Sequence, residues 1–280
     1  IEERPVPQTD VPGEQTAPTQ PFPVKPPGLG LRQLTSDETW GLTPEDQARG
    51  RKMIEALRYD GVFTPPSLRG SVMAPGNVGG MNWGGVAYDP NRGLLVEPVN
   101  RIGAMVTLIP RNEVEKARKQ GLRMGAEIGP QYGTPYAMKR EYLFDADQNG
   151  LHVYTPPPWG TLAAMDMNTG ELAWEVPLGL MFDPETYPEA PKWGSISLGG
   201  TMITGRGLVF VAATMDSHLR TFDIETGTLR WMAPLPAGGQ ATPMTYQVTE
   251  DGKQYIVIAA GGHGKLGTPL GDYVAAFALP

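Results

Sequence analysis

The chain has 280 residues, 36 of them Gly and 29 Pro, with 19% charged and 40% hydrophobic residues. So many turn formers, against a usual background of about 12%, exclude a helical bundle and favour many short strands. A net charge of −7 disfavours a nucleic-acid surface, the lack of cysteine removes disulfides and thiolate sites, and no apolar run reaches the ~18–20 residues of a spanning helix.

The chain begins at Ile1 with no visible signal peptide, which reads as a fragment or a processed chain. Residues 1–39 carry eight prolines and little periodicity. They are either a disordered linker or an extended segment packed on another surface, with Phe22, Val24 and Leu29 as its apolar contacts. A helix is predicted next. Thr43 is the N-cap, Pro44 the first helical residue, Glu45 and Asp46 the acidic first turn, and Met53, Ile54 and Leu57 the apolar side. Its expected end is near Tyr59. A second, charged helix is expected from Asn112 to Gln120 in an exposed loop, and Lys139, Arg140 and the 111–119 run read as solvated surface.

From Gly79 onward, runs such as GLLVEPV, GAMVTLI, GLVFVAA, QYIVIAA and DYVAAFAL are bounded by Gly, Pro, Asn or Asp and read as short strands. Two regions repeat. Asp166, Thr169-Gly170 and Trp174 recur as Asp223, Thr226-Gly227 and Trp231, 57 positions later. A fixed period of this size, made of strands, is the mark of propeller blades. The Asp and Gly form a tight turn, and the Trp stands on the next strand to wedge between blades. The fold class expected is all-β, a partial β-propeller of about four four-stranded blades with one or two short helices. Residues 1–78 would be an extended Pro-rich segment plus helix within the propeller domain, and 79–280 the blades.

Nothing here is a self-sufficient active site: GxSxG, HExxH, a P-loop and an EF-hand loop are all absent. His152, His218 and His263 are too scattered for a His-rich metal site. What remains are Gly-rich strand ends: Gly79–Gly84 with Asn82 and Trp83, Trp193-Gly194-Ser195, Gly238–Thr242 with Gln240, and Gly261–Gly264 with His263. Glycine there lets backbone approach a ligand closely. Each polar or aromatic residue also has a plain structural explanation: Asn82 as a turn residue, Trp83 as inter-blade packing, His263 as a loop residue.

The repeats, together with GGMNWGGVAYDP, PPPWGTLAAMD, LPAGGQATPMTY, GKQYIVIAAGGHG and GDYVAAFALP, resemble the C-terminal half of the quinoprotein dehydrogenases. These are eight-bladed propellers that use pyrroloquinoline quinone (PQQ), and the similarity is strongest to their membrane-bound glucose dehydrogenase branch. The resemblance runs from about Pro5 to Pro280. It implies oxidation of an aldose or alcohol, with electrons passed to a quinone or cytochrome, in a periplasmic protein. It implies that Asn82 and Trp83 line the PQQ pocket, that Gln240 and His263 lie near it, and that Trp193 reaches the ring. The catalytic base and the ligands of a Ca or Mg ion match no residue of this chain and are expected upstream of Ile1. The alternative is a non-catalytic propeller scaffold. A half ring also needs its missing N-terminal half, or self-association, to cover its open faces.

Overall fold

The computed structural model describes residues 1–31, 33–122, 125–147 and 150–278. Two compact units are each assembled from separate stretches. Residues 1–24, 30–77 and 101–156 form the first, and residues 25–29, 78–100 and 157–280 the second.

In the first unit, helix α1 (Pro44–Glu55) starts as its sequence dictates, with the Thr43 hydroxyl accepting from the Asp46 amide at 3.1 Å. It stops at Glu55 rather than near Tyr59. Beyond it Arg58 enters backbone pairing, its amide donating to Gly70 and its carbonyl accepting from Val72, both at 2.9 Å. That pairing replaces the helical bond the segment would otherwise make. Ile54 buries against Leu34, Val72, Ala74 and Leu143. Leu34 is fully buried and residues 2–5 pair with 19–22, so the Pro-rich start is extended, packed chain and not a linker. Phe22 meets Phe63 edge-on, while Val24 stays exposed. Helix α2 (Val114–Lys119) is exposed as expected. An antiparallel sheet runs in the order Ser71–Met73, Ala104–Pro110, Tyr136–Tyr142, Glu127–Gly129. Lys139 and Arg140 are not free surface here: Lys139 pairs with buried Glu141 at 2.7 Å, and Arg140 pairs with Glu127 across the ladder.

Among the described residues the second unit holds three antiparallel sheets. The first is built from Ala87–Asp89, Leu94–Asn100, Gly160–Asp166 and Glu171–Pro177. The second comprises Thr201–Ile203, Leu208–Val211, His218–Asp223 and Leu229–Pro234. The third has Met244–Gln247, Gln254–Ala260 and Tyr273–Ala278. Strand alternation explains how they stack. Val209 and Val211 join Leu94, Val96 and Leu162 of the first sheet in one core, whereas Phe210 and Ala212 join Ile256 and Ile258 of the third in another. One strand thus feeds two cores.

The 57-residue repeat is visible in three dimensions. Asp166 accepts from the amides of Asn168 and Thr169, and Asp223 from those of Glu225 and Thr226. Gly170 and Gly227 take φ of 70° and 68°, conformations that L side chains resist. Both ladders slip register at the same repeat position, after Ala164 and after Thr221. The Trp174 indole donates to the Ile224 carbonyl at 2.7 Å and lies on Gly227, where a Cβ would sit 2.6 Å from the ring. Trp231 meets Phe277 edge-on at 5.4 Å and is 42% exposed. Both are packing residues.

The blades differ from expectation in two respects. The third sheet has three strands among the described residues, and residues 279–280 of its final motif lie outside them. The remaining four-stranded sheet belongs to the first unit, starts at Ser71 before Gly79, and interrupts the first sheet of the second unit in chain order. Local patterning could not show this, because each strand reads alike whichever sheet it joins. No helix of the described residues is long and apolar enough to cross a membrane.

Candidate functional site

Register places the Gly-rich segments at one end of the three sheets. In the first sheet Gly160 pairs with Asn100, whose amide donates to Gly80 at 2.7 Å, so residues 79–85 share that end with the start of the 160–166 strand. In the second sheet the same end carries residues 199–200 and 212–218, because Thr201 pairs with Val211 and His218 with Pro234. In the third, Ala260 pairs with Tyr273, which brings residues 261–271 there. The Asp-Thr-Gly turns occupy the opposite end. All five residues singled out in the sequence (Asn82, Trp83, Trp193, Gln240 and His263) therefore lie in loops at one end of the second unit.

Buried side-chain amides stitch these loops together. Asn100 donates to the Ser197 carbonyl at 2.7 Å and accepts from the Ser197 amide at 2.8 Å. Gln240 does the same for its neighbours, donating to the Thr214 carbonyl at 2.9 Å and accepting from the Leu198 amide at 3.2 Å. Each side chain meets one backbone donor and one backbone acceptor outside the named strands, and buried backbone requires such partners. The Thr242 hydroxyl donates to the Gly84 carbonyl at 3.0 Å and accepts from the Gly200 amide at 3.2 Å. The backbones approach so closely that a Cβ on Gly84 would fall 2.3 Å from the Gly199 carbonyl carbon. Further along, Gly262 donates to the Gly238 carbonyl at 2.8 Å.

The five residues differ in what they have left to offer. Gln240 is buried with both ends of its amide engaged, so it acts on its surroundings through backbone. Asn82 holds a turn: its carbonyl oxygen accepts from the Trp83 amide at 2.7 Å, and its nitrogen donates to the Val78 carbonyl at 3.1 Å, leaving one N–H over. Trp83 is 77% exposed and joins none of the core clusters of the described residues. Trp193 belongs to a ring cluster with Trp159, Phe182 and Tyr187. The His263 amide donates to the Thr268 hydroxyl at 2.7 Å, while its Nδ1 is buried with no hydrogen-bond partner. Such an orphaned ring nitrogen costs free energy unless something meets it.

Behind the loops, Arg220 forms a buried pair with Asp216 and also donates to the Thr214 hydroxyl at 3.1 Å, fixing the turn that receives Gln240. Sequence reasoning missed Asn100, Thr214, Ser197 and Thr242. Asn100 had one usable signal, a polar residue closing a largely apolar strand. In the same strand Glu97 points away from the shared core, on the alternate face from Leu94 and Val96; burial pushes its carboxyl up to about 7, and its Oε2 has no partner. No group of three or more His, Cys, Asp or Glu among the described residues is arranged to hold a metal ion.

Comparison with known proteins agrees with this architecture. Residues 1–256 match the family described as PQQ: Glucose/ethanol/alcohol dehydrogenase, beta-propeller domain. The chain is 40% identical to the quinoprotein glucose dehydrogenase of Escherichia coli, over 99% of this chain and 35% of that protein. It is 39% identical to the quinate/shikimate dehydrogenase (quinone) of Acinetobacter baylyi, over 99% and 35%. Identity to the glycerol dehydrogenase large subunit of Gluconobacter thailandicus is 37%, over 100% and 40%. The chain thus spans little more than a third of the length of these relatives. A europium-containing methanol dehydrogenase shares the fold, with a TM-score of 0.50 at 20% identity over 74% of this chain and 34% of that one.

Proposed function

The chain belongs to the PQQ glucose/ethanol/alcohol dehydrogenase β-propeller family, and from that premise we propose that it forms one wall of the cofactor pocket of a periplasmic dehydrogenase that oxidises an aldose or alcohol. Electrons would leave to a quinone or cytochrome. PQQ, when bound, supplies the electron-accepting quinone. A flat quinone bearing three carboxylates calls for N–H donors, polar atoms and an aromatic face. The residues present fit it in part. Asn82 has an N–H to spare, Trp83 offers an exposed ring, and His263 holds an orphaned nitrogen at the same end of the unit. Gln240 and Asn100 fix the loops that carry these groups, and Trp193 belongs to the aromatic cluster with Trp159 and Phe182 at the same end of the unit.

The observation that carries the reading is the buried, unpartnered Nδ1 of His263 among loops that converge on one end of three stacked sheets. The catalytic base and the ligands of a divalent ion, Ca or Mg, would come from the part of the longer relatives that this chain does not span. The chain alone would then bind PQQ weakly and oxidise no sugar. PQQ titration of the full-length protein tests the assignment. Asn82→Ala and His263→Ala are expected to weaken PQQ retention about tenfold, by the usual worth of one hydrogen bond to a charged group. Equal affinity in wild type and both variants would remove them from the pocket, and a full-length protein that holds no PQQ would favour a scaffold.

A further inference from the structure

Residues 179–194 form a loop whose ends are tied. Leu178 donates to Gly160, and Ser195 donates back to Leu178 at 2.7 Å, so the chain leaves and returns at one point. Sixteen-residue loops with closed ends that pack on their own side chains are the Ω class, frequently functional. This one is rigid. Asp183 organises it, accepting at its side chain from the Glu185 amide at 3.0 Å and at its carbonyl from the Tyr187 amide at 2.8 Å. Its rings converge on fully buried Trp159: Phe182 and Trp193 lie 5.4 and 5.6 Å from it, and Tyr187 meets Phe182 edge-on at 5.4 Å. Phe182, Tyr187 and Trp193 remain partly exposed. The cluster therefore presents ring surface outward as well as holding the loop. It stands at the end of the first sheet that also carries Asn82 and Trp83, because Trp159 precedes Gly160 and Gly160 pairs with Asn100.

The loop is also charged in one sense. It carries three acids, Asp183, Glu185 and Glu189, against one cation, Lys192, which pairs with Glu189 at 2.7 Å. Aromatic faces receive the C–H face of a ring-shaped polyol, carboxylates accept from its hydroxyls, and surplus negative charge repels an acid.

We propose that the 179–194 loop is a specificity wall for the substrate, in which Phe182 and Tyr187 receive a neutral cyclic polyol and the acidic rim turns away hydroxy acids. This rests on the dehydrogenase reading above. The test uses full-length, PQQ-loaded protein, with glucose, quinate and glycerol as probes in dye-linked turnover. Direct glucose binding is followed by tryptophan fluorescence, and PQQ retention by absorbance. Phe182→Leu with Tyr187→Leu is expected to raise KM and the dissociation constant for glucose about tenfold, to leave glycerol, which has no ring face, within about twofold, and to spare PQQ retention. Phe182→Trp should restore glucose binding if a ring face is what counts. Glu185→Lys should raise quinate turnover relative to glucose several-fold. Glucose constants unchanged in the double variant, or glucose and glycerol weakened equally together with PQQ loss, would overturn the wall. A wild type that retains PQQ and turns over while the variants match it overturns this inference alone; a wild type that retains no PQQ removes the dehydrogenase reading as well, and with it the wall.

Discussion

Glu97 offers the sharpest quantitative test of the folded core. Its carboxyl is 5% exposed, faces away from the core shared by the first two sheets, and has an unpartnered Oε2, so burial holds it at about 7 against 4.5 when free. A raised carboxyl is favoured neutral in the fold. Its contribution is therefore complete below pH 4.5, declines as the unfolded chain ionises, and is lost once pH passes about 7. A difference of about 2.5 pH units, at 1.36 kcal/mol each, amounts to about 3 kcal/mol. Glu97→Gln removes the titration while keeping the shape. Its buried amide brings its own cost, which does not depend on pH, so the informative quantity is the change in the wild-type-minus-variant difference. Urea unfolding followed by tryptophan fluorescence at pH 4.5, 6 and 8 should show that difference moving by about 3 kcal/mol in favour of the variant. Other carboxylates cancel in the subtraction. A difference constant across that range would mean that Glu97 is ionised at low cost, and the desolvation argument would fail.

Trp174→Phe removes the donor to the Ile224 carbonyl and should cost about 1–3 kcal/mol in unfolding, whereas Trp231→Phe, at a ring already 42% exposed, should cost under about 1 kcal/mol. Equal costs would mean the two repeats are not docked differently. The Arg230 guanidinium and the amides of Glu225 and Thr226 hold the Asp223 carboxyl below the usual carboxylate range, and the Asn168 and Thr169 amides do so for Asp166. The stability these turns add is present above the ordinary carboxylate pKa and should disappear only as pH falls through the depressed values; Asp223→Asn should flatten that acid limb, which a pH series of melting curves would reveal. The isolated chain should self-associate in sedimentation, because the third sheet exposes Met244, Tyr246, Tyr273 and Val274. A sharply melting monomer would contradict this.

The repeat was legible because its parts have single physical explanations. An Asp two residues before a free amide, a Gly at positive φ and a Trp on the following strand leave little choice of local structure, and even the register slip recurs with the period. The start of α1 was legible for the same reason, since the Thr43 cap and Pro44 act locally; its end was not, because tertiary pairing at Arg58 decides it. At the candidate site the residue types were readable and their commitments were not. Gln240 and Asn100 do the same work for backbone, yet only one of them sits in a Gly-rich segment that draws the eye. An amide side chain offers the same groups to a ligand as to a peptide bond, and only the fold shows which partner it has taken. His263 is the converse, a residue resembling any loop histidine until its orphaned nitrogen is located.

The interruption of the first sheet bears on how the protein is made. Leu94 pairs with Asp166 and Asn100 with Gly160, so the central ladder of that sheet joins residues up to 72 positions apart. At ~5–20 residues per second, a ribosome needs roughly 4–14 s to deliver the second strand after the first has emerged. Throughout that interval Leu94 and Val96 have only Ala87–Asp89 beside them, and their apolar face lacks the strand that will cover one flank. Closing so long a loop is slow as well as late. The 101–156 excursion thus sets a waiting time during synthesis, and the strand Leu94–Asn100 is the segment a holding chaperone would be expected to occupy.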